Sequence, residues 1–496
     1  MIVSSAEMRA LEERAFAEGV TADSLMEEAG ARIAAAVQQF FPRAGHCIAF
    51  FGKGHNGGDA LVAARLLKSN DWDVEIRAPF PEADWSELTA QKYAQFTSDV
   101  RGFASAKRHD AQADLVVLDG LLGTGAGGAL REPITAACRE INRLRREMNA
   151  HVFSLDLPTG LNGDTGEADP EAVTADFTLT IGFAKRGLLA DSATRQVGRL
   201  AVLPLRELTA RATGKADAQV TTAATLAPLL PRRAFEAHKG DFGRIGIIAG
   251  SRGLTGAAVL AAEACARAGG GLVSLYVTEE IHAIAAPATS PEVMVRPVAS
   301  YLEVLEAGRD VLALGPGLGQ SRSQEALELI RRAKQPMIID ADGLNLLASE
   351  LDVLASTAGP RLLTPHPGEM ARLDPEFKTR TRREAVEHFT ARFPHPILLK
   401  GARTIIGQLG RPLSYNTTGS PGLSTGGMGD VLTGVCAALA GQQLHLYDAA
   451  RAASWLCGRA AELAIFTGPE SEETLTPPVL LEYLGRAFKE LRALSY

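Results

Sequence analysis

Residues 416–439 join a glycine-rich loop to the apolar pattern of a buried helix. Gly426, Gly427 and Gly429 let the backbone approach an anion closely, and the free N–H groups of a helix start attract phosphate. Asp430 lies in the first turn of the predicted helix. It either caps that helix or takes a proton from a hydroxyl that attacks the phosphate, and the surrounding glycines favour the second role.

Four more segments of the second half combine glycine with polar residues, and each follows a predicted strand. They are residues 250–256, 315–319, 366–369 and 400–404. Because the carboxyl ends of parallel strands meet at one edge of a sheet, we expect these loops to converge on Asp430. There Lys400 and Arg403 suit phosphate contacts. Taken alone, His366 would be a structural histidine and the two cations would be solvated charges.

The first half carries its own glycine-rich turn, residues 52–59, directly after a predicted strand. It is either a plain tight turn or a phosphate site at a helix start, and its glycine spacing differs from the dinucleotide fingerprint. Asp119 and Asp156 also follow predicted strands, so both carboxylates can enter one crevice. With Asn56 and Thr159 they offer oxygens that either hold a hard cation or do acid–base work. Each Asp alone would be a turn or cap residue.

Short apolar strands alternate with helical patterns throughout the chain, which is typical of doubly wound α/β domains. Two helices are predicted before residue 45, with caps at Ser5 and Ser24 and with Phe16 on the apolar face of the first. A further helix is predicted at 59–68. The predicted strands of the first half are 47–51, 73–77, 115–118, 152–155 and 177–181. Those of the second half are 244–249, 272–277, 311–314, 337–339, 362–363 and 397–400, with helices between them such as 257–268 and 324–332.

A chain of 496 residues is too long for a single core. The periodic pattern weakens in a small, polar segment between about 205 and 239, which is typical of a linker. We therefore predict two tandem three-layer α/β domains, residues 1–212 and 225–496, joined by a linker at 213–224.

Composition excludes several classes of protein. The net charge is −7, so the chain lacks the basic footprint of a nucleic-acid binder, and runs such as residues 380–383 are expected to be solvated helix faces. The five cysteines are scattered and never adopt Cys-x-x-Cys spacing, which argues against disulfides or zinc and suits a reducing cytoplasm. No signal peptide or membrane-spanning apolar run is present, so we expect a soluble cytoplasmic protein without nucleic-acid or membrane partners.

Three motifs of the first half resemble the NAD(P)H-hydrate epimerase domain over roughly residues 1–210. They are Gly54-His-Asn-Gly-Gly-Asp59, Asp119-Gly-Leu-Leu-Gly-Thr-Gly125 and Ser154-Leu-Asp-Leu-Pro-Thr-Gly-Leu-Asn-Gly-Asp164. The resemblance implies a Rossmann-like sheet and a potassium ion bound by Asn56, Asp119 and Thr159. His55 stands where the family more typically has Asn, and Thr159 stands in place of Ser.

The same resemblance implies which residues line the hydrated nicotinamide nucleotide. They are His55, Asn56, Gly57, Gly58, Asp59, Gly123, Thr124, Gly125, Ala126, Gly127, Gly128, Ala129 and Asp156. In the hydrate, the ring nitrogen can expel the neighbouring hydroxyl, and water that returns to the other face inverts the centre. Asp156 is the candidate catalytic carboxylate, which would protonate the leaving hydroxyl and activate the returning water.

Motifs of the second half resemble the ribokinase-like superfamily and, within it, the ADP- or ATP-dependent NAD(P)H-hydrate dehydratases over about residues 225–496. They are Thr255-Gly-Ala257, Gly315-Pro-Gly-Leu-Gly319, Asp340-Ala-Asp-Gly-Leu-Asn345, Thr364-Pro-His-Pro-Gly-Glu369, Lys400-Gly-Ala-Arg-Thr404 and Gly426-Gly-Met-Gly-Asp430. The resemblance implies that the hydrate meets Ala257, Gly317, His366 and Asp430. It implies that the adenine nucleotide meets Lys400, Gly401, Ala402, Arg403, Thr404 and Gly429. Met428 stands where a small hydroxyl residue is common.

The implied function is the repair of hydrated nicotinamide nucleotides. The first domain would interconvert R- and S-NAD(P)HX. In the second, Asp430 would deprotonate the hydroxyl of S-NAD(P)HX as it attacks the terminal phosphoryl group of ADP or ATP, helped by Mg²⁺, and phosphate would then leave. The resemblance favours ADP, which would give AMP and phosphate, and we expect a homo-oligomer. The alternative is a kinase for small hydroxymethyl compounds whose first domain is a silent binding or dimerisation module.

Overall fold

The computed structural model describes residues 1–98, 114–125, 128–212 and 216–493. The chain divides into two compact units, Met1–Ala216 and Asp217–Tyr496. Each unit is built on a largely parallel sheet with helices in the connections. The predicted fold class of two tandem α/β domains is therefore confirmed.

The first unit contains eight described strands. They are β1 (Ile2–Val3), β2 (His46–Phe51), β3 (Asp73–Arg77), β4 (Leu115–Gly120), β5 (His151–Leu155), β6 (Phe177–Ile181), β7 (Ala184–Lys185) and β8 (Arg199–Leu203). Its described helices are α1 (Ser5–Ala17), α2 (Ala22–Phe40), α3 (His55–Ser69), α4 (Glu87–Ser98), α5 (Ile134–Glu147), α6 (Thr194–Val197) and α7 (Arg206–Arg211).

Six of these strands form one parallel sheet in the order β3-β2-β4-β5-β6-β8. The strand β3 is added on one side of β2, and β4 and the later strands are added on the other side. At such a switch point a crevice opens beyond the carboxyl ends of the strands. The glycine-rich turn after β2 and Asp119, near the end of β4, therefore border one crevice. Separately, β1 pairs with β7 in a two-stranded ribbon that sets Val3 opposite Lys185.

The strands of the second unit are β9 (Ala218–Val220), β10 (Arg244–Ile248), β11 (Leu272–Thr278), β12 (Met294–Val298), β13 (Val311–Leu314), β14 (Met337–Ile339), β15 (Arg361–Leu363), β16 (Ile397–Leu399), β17 (Thr404–Gly407) and β18 (Leu413–Asn416). The helices are α8 (Ala223–Leu226), α9 (Thr255–Arg267), α10 (Glu279–Ala288), α11 (Ser323–Arg332), α12 (Asp342–Ser349), α13 (Pro367–Leu373), α14 (Arg382–Arg392), α15 (Met428–Gly441), α16 (Leu446–Glu462) and α17 (Pro477–Ala493). All ten strands form one sheet in the order β12-β11-β10-β13-β14-β15-β16-β17-β18-β9, and only β17 runs antiparallel to its neighbours.

Two helices at the centre of the second core bring their first turns to the same end. A Cβ at Gly434 of α15 would lie 2.2 Å from the carbonyl oxygen of Ala261 on α9, so only glycine permits this approach. A Cβ at Gly427 would lie 2.6 Å from Leu260, so the two helices run in the same direction. Both positive helix ends therefore face the same edge of the unit.

Several local expectations differ from the structure. The cap of α1 is Ser4, whose hydroxyl accepts from the backbone N–H of Glu7 in a capping box, and the cap of α2 is Thr21. Ser5 and Ser24 instead lie inside the helices. The hydroxyls of Ser4 and Thr21, one and three residues earlier, accept the free N–H groups of the helix starts. Phe16 is 38% exposed, so the buried face of α1 uses Ala15 instead.

Helix α3 begins at His55, four residues before the predicted start, with Gly54 as its N-cap. The predicted linker is also partly sheet. Residues 213–215 lie outside the described residues, but β9 pairs in parallel with β18 and so belongs to the second unit. Strands β1, β7, β8, β12, β17 and β18 were not predicted, since most are short or lie at the edges of the sheets.

Arg361 is a fully buried cation in the middle of the second sheet. Its guanidinium donates to the carbonyl oxygens of Ile330, at 2.6 Å, and Gln335, at 3.0 Å, and to those of Ala333 and Pro360. Burial lowers the pKa of the side chain to about 10. Arg361 therefore satisfies the carbonyl groups that remain free where α11 ends.

We expect Arg361→Met to lower the free energy of unfolding of the second unit by about 3 kcal/mol, because several buried carbonyl groups lose their donor. Urea unfolding followed by circular dichroism measures the loss. Arg331→Met removes a half-exposed arginine from α11 and should change the stability by less than about 0.5 kcal/mol. Equal effects of the two substitutions would contradict this role.

Candidate active sites

Asp119 is a completely buried carboxylate near the end of β4. Its Oδ1 accepts the hydroxyl of Thr159 at 2.7 Å, and its Oδ2 accepts the hydroxyl of Ser154 at 2.8 Å and the backbone N–H of Thr159 at 2.9 Å. Burial raises the pKa of Asp119, and the hydrogen bonds from Thr159 and Ser154 oppose that change. The carboxylate thus holds the loop after β5 against β4.

Asn56, in the first turn of α3, completes a set of oxygens beside this carboxylate. Its Nδ2 donates to the carbonyl oxygen of Leu122 at 3.0 Å, and the backbone N–H of Leu122 donates to the Thr159 hydroxyl at 3.2 Å. Its Oδ1 is buried and accepts no hydrogen bond from the described residues. This unpaired oxygen, with one carboxylate and one hydroxyl nearby, fits a hard cation of low charge.

Asp156 follows β5 and pairs with Lys185, a residue outside every motif of the sequence. Asp156 has a positive φ of 64°, a conformation that Asp tolerates better than most residues. Its Oδ1 contacts Lys185 Nζ and accepts the backbone N–H of Ile181 at 3.2 Å. Lys185 is buried and also donates to the carbonyl oxygen of Ile181 at 2.9 Å. The only signal of Lys185 in the sequence is a lysine inside an apolar run.

Ile181, which bonds both members of this pair through its backbone, also lines a cavity of about 70 Å³. Its walls come from α1, α2, α3 and the segments around β6 and α7, and they comprise Glu12, Phe16, Ala22, Leu25, Met26, Ala29, His55, Asp59, Ile181 and Leu205. Burial raises the pKa of Asp59 well above its usual value, and the charges of Asp156 and Glu12 raise it further. Glu12 was also missed, because a glutamate on an amphipathic helix has no distinctive pattern.

The remaining predicted residues of this site differ in how deeply they are buried. Gly57 and Gly58 are buried in the first turn of α3, and a Cβ at Gly123 would lie 3.5 Å from the side chain of Asn56. Thr124 is partly buried, whereas Gly125, Gly128 and Ala129 are exposed. Ala126 and Gly127 lie outside the described residues.

In the second unit, Asp430 occupies the first turn of α15 behind Gly427, whose φ is 89°. Burial, and then the charge of Asp340, raises the pKa of Asp430 to about 7, while Lys400 opposes the shift. Asp340 is buried and accepts from Lys400 Nζ and from the hydroxyl of Thr433, each at 2.8 Å. The structure therefore brings Asp430 and Lys400 together, as predicted from the strand-end loops.

His366 joins this cluster through Glu369. Nδ1 of His366 accepts from the backbone N–H groups of Gly368, at 2.9 Å, and Glu369, at 3.3 Å, so the imidazole caps α13. The Glu369 carboxylate accepts the backbone N–H of His366 at 2.8 Å and lies 3.6 Å from Lys400 Nζ. Burial lowers the pKa of Lys400, but Asp340 and Glu369 more than offset this and raise it.

Gly317 and Ala257 lie side by side. Gly317 has a φ of 56°, and a Cβ there would lie 3.0 Å from the Cβ of Ala257 and 2.7 Å from the carbonyl oxygen of Leu254. Ser251 also donates to the carbonyl oxygen of Gly317 at 2.8 Å. The start of α9 and the loop after β13 therefore meet.

The loop of residues 400–404 differs from expectation at Arg403. Its side chain is only 2% exposed, so the predicted phosphate contact lacks an exposed guanidinium in this structure. Arg382, which was expected to be a solvated helix residue, instead donates to the carbonyl oxygen of Arg403 at 3.1 Å. A Cβ at Gly401 would lie 2.2 Å from the same guanidinium, so Arg382 covers this loop.

Comparisons with known proteins find matches to both units. A family model described as NAD(P)H-hydrate dehydratase matches residues 245–482, and one described as YjeF-related protein N-terminus matches residues 22–187. A bifunctional NAD(P)H-hydrate repair enzyme of Moorella thermoacetica is 36% identical over 522 residues, which cover 99% of this chain and 97% of the relative. The chain belongs to the bifunctional NAD(P)H-hydrate repair enzymes.

A second relative supports the assignment, and one solved structure shares the fold. A bifunctional NAD(P)H-hydrate repair enzyme of Escherichia coli is 35% identical, covering 90% of this chain and 86% of the relative. A ribokinase-like superfamily protein from Enterococcus faecalis has a TM-score of 0.50 at 24% identity and covers 56% of this chain and 98% of its own. The ribokinase-like fold is therefore confirmed. None of the helices in the described parts of this repair enzyme has the length and apolar character to span a bilayer.

If the oxygens around Asn56 hold potassium, KCl should raise the thermal midpoint of the repair enzyme by roughly 3 °C relative to choline chloride. We expect Asp119→Asn to abolish this difference, because the substitution removes the negative charge beside the ion. Ser154→Ala is the control, since it removes one hydrogen bond but keeps the charge. Differential scanning calorimetry measures the midpoints, and a K⁺ effect that survives Asp119→Asn would exclude this site.

The pKa of Asp430 predicts the pH dependence of dehydration. A base must be ionised, so kcat/KM should fall about tenfold per pH unit below about pH 7 and level off above it. Lys400→Met removes a charge that lowers the pKa of Asp430, so the midpoint should move upward, whereas Lys400→Arg should restore it. A profile whose midpoint ignores Lys400 would show that another group titrates.

Proposed function

We propose that residues Met1–Ala216 epimerise R- and S-NAD(P)HX and that residues Asp217–Tyr496 dehydrate S-NAD(P)HX with ADP as the phosphoryl donor. The observation that carries the proposal is the position of Asp430. It lies in the first turn of α15 beside Lys400, and its pKa is about 7. A carboxyl at this pKa exists in both forms near neutral pH, as a general base requires.

In the first unit, Asp156 is the proposed acid–base residue. Lys185 and the backbone N–H of Ile181 both contact its Oδ1, so the carboxyl is held in one orientation. Ile181 in turn lines the cavity to which His55 and Asp59 belong. The nitrogen of the hydrate ring pushes out the hydroxyl, and Asp156 exchanges a proton with the oxygen that leaves or returns. A buried charged pair of this kind is common at sites of acid–base chemistry, which favours an active domain over a silent binding module.

Potassium would be held by Asn56, Asp119 and Thr159. The unpaired Oδ1 of Asn56 and the buried carboxylate of Asp119 support this set. When bound, the ion would supply positive charge beside the glycine-rich start of α3, where a phosphate of the substrate would lie. Asp119 itself holds Thr159 in place through two hydrogen bonds.

In the second unit, Asp430 would take the proton of the substrate hydroxyl as its oxygen attacks the terminal phosphoryl group. The backbone N–H groups at the start of α15 and the ammonium of Lys400 would stabilise the charge on that group. Asp340 holds Lys400 at 2.8 Å, and His366 holds Glu369 next to it. The ring-nitrogen lone pair then forms a C=N bond as the C–O bond breaks, and phosphate leaves with the electron pair. Release of a proton from the adjacent ring carbon to water neutralises the ring and restores its double bond.

Mg²⁺ would enter with the nucleotide and neutralise charge on its phosphates. Among the described residues, no group of three acidic, histidine or cysteine side chains could hold a metal. This suits Mg²⁺, which keeps several waters and uses substrate phosphates as ligands. The preference for ADP, the predicted homo-oligomer and the cytoplasmic location stay predictions from the sequence.

A recovery assay tests both activities at once. With R,S hydrate, Mg²⁺ and ADP, the wild-type chain should restore all of the absorbance of the reduced nicotinamide and release AMP and phosphate. Asp156→Asn should restore only the S half before spontaneous epimerisation contributes, and Asp430→Asn should restore almost none. Asp352→Asn changes an exposed carboxylate of the second unit and should match the wild type.

A stable phosphorylated product would identify a small-molecule kinase and overturn the dehydratase proposal. Full recovery by Asp156→Asn would remove Asp156 from the epimerase mechanism. Replacing ADP with ATP tests the phosphoryl donor, because ATP would release ADP in place of AMP.

A further inference from the structure

The N-terminal helix is fixed against the strand that carries Lys185. Val3 of β1 pairs with Lys185 of β7, and α1 begins two residues later. The backbone N–H of Ser5 donates to Asp164 at 2.7 Å, which ties the helix start to the loop after β5. Glu12 follows two helical turns on and lines the same cavity as His55 and Asp59.

Glu12 lines a cavity whose walls are partly apolar and partly acidic. Phe16, Leu25 and Met26 supply apolar walls, while Glu12 and Asp59 supply carboxyls from different helices. A volume of about 70 Å³ holds several water molecules. The cavity also reaches Ile181, whose backbone N–H holds Asp156.

Glu12 and Asp156 interact electrostatically but have different surroundings. Burial raises the pKa of Glu12, the charge of Asp156 raises it further, and Lys185 and Arg9 oppose the change. Asp156, in contrast, contacts the ammonium of Lys185 directly. Two coupled carboxyls in unlike environments are a common arrangement for a paired acid and base.

Inversion of the hydrated carbon needs proton transfer at both faces of the ring. The oxygen leaves from one face and returns to the other, so a single carboxyl beside one face meets only one of these oxygens. We propose that Glu12 is a second acid–base residue of the epimerase site and serves the face that Asp156 does not. This inference rests on the epimerase function proposed for the first unit. Glu12 lies ahead of residues 22–187, which the family model matches.

The proton balance is as follows for the isomer whose hydroxyl faces Glu12. The ring-nitrogen lone pair forms a C=N bond, the C–O bond breaks, and the hydroxyl takes the proton of neutral Glu12 and leaves as water. At the opposite face, the oxygen of another water bonds to the same carbon and its proton passes to the Asp156 carboxylate. The two carboxyls have then exchanged protonation states, which is the state that the other isomer requires.

Oxygen exchange and inversion can be measured separately. Each pure isomer is incubated with the full chain, without nucleotide, in water labelled with oxygen-18, and rates are corrected for the enzyme-free reaction. We expect Glu12→Gln to lower inversion about 100-fold. One isomer should still exchange its oxygen without inversion at nearly the wild-type rate, because Asp156 can return water to its own face. Asp156→Asn should give the reciprocal pattern with the other isomer.

The controls separate chemistry from folding. Glu13→Gln alters the neighbouring exposed glutamate of α1 and should leave both rates unchanged. Glu12→Asp should recover part of the inversion rate, and the oxygen exchange that Glu12→Gln keeps with one isomer reports a folded first unit. Equal losses of exchange and inversion in Glu12→Gln, or no loss, would overturn the proposal. Oxygen exchange without inversion in Asp59→Asn, and not in Glu12→Gln, would also overturn it. A wild-type chain that neither exchanges nor inverts would instead refute the epimerase function itself.

Discussion

Each unit depends on one buried carboxylate at the carboxyl end of a strand of its sheet. Asp119 and Asp340 are 0% and 2% exposed, and a buried charge is costly unless donors surround it. Thr159 and Ser154 supply those donors in the first unit, and Lys400 and Thr433 supply them in the second. Because these donors come from other loops and helices, satisfying the carboxylate also fixes the relative positions of the segments that form each site.

A second feature shared by the units is a lysine placed between acidic groups. Lys185 contacts Asp156, and its charge opposes the rise in pKa of Glu12 and Asp59. Lys400 contacts Asp340, and its charge opposes the rise in pKa of Asp430. In each cluster one carboxylate takes the direct ion pair, and another carboxyl nearby keeps a raised pKa. Burial and like charge thus raise the pKa of a carboxyl in each cluster, and for Asp430 they raise it to about 7.

Much of the candidate chemistry was predictable, because it lies in loops that follow parallel strands. Asn56, Asp119 and Thr159 are far apart in the sequence, yet strand-end positions predicted their convergence, and the same reasoning brought Lys400 to Asp430. Lys185 and Glu12 were not predictable in this way. A lysine in an apolar run and a glutamate on an amphipathic helix have no local pattern that distinguishes a site residue from a surface one. For Arg403 the strand-end position predicted a phosphate contact, whereas the structure buries the side chain.

The sequence by itself determined the alternation of strands and helices, the two-unit organisation and the glycine-rich loops, because these follow from local periodicity and backbone freedom. Tertiary structure decided which side chains lose water and which edge strands join a sheet. The burial of Arg361 under the end of α11 and the pairing of β9 with β18 both rest on partners more than twenty residues away. Desolvation and charge coupling sum over such distant neighbours, so the pKa values that define the two sites arise only in the folded chain.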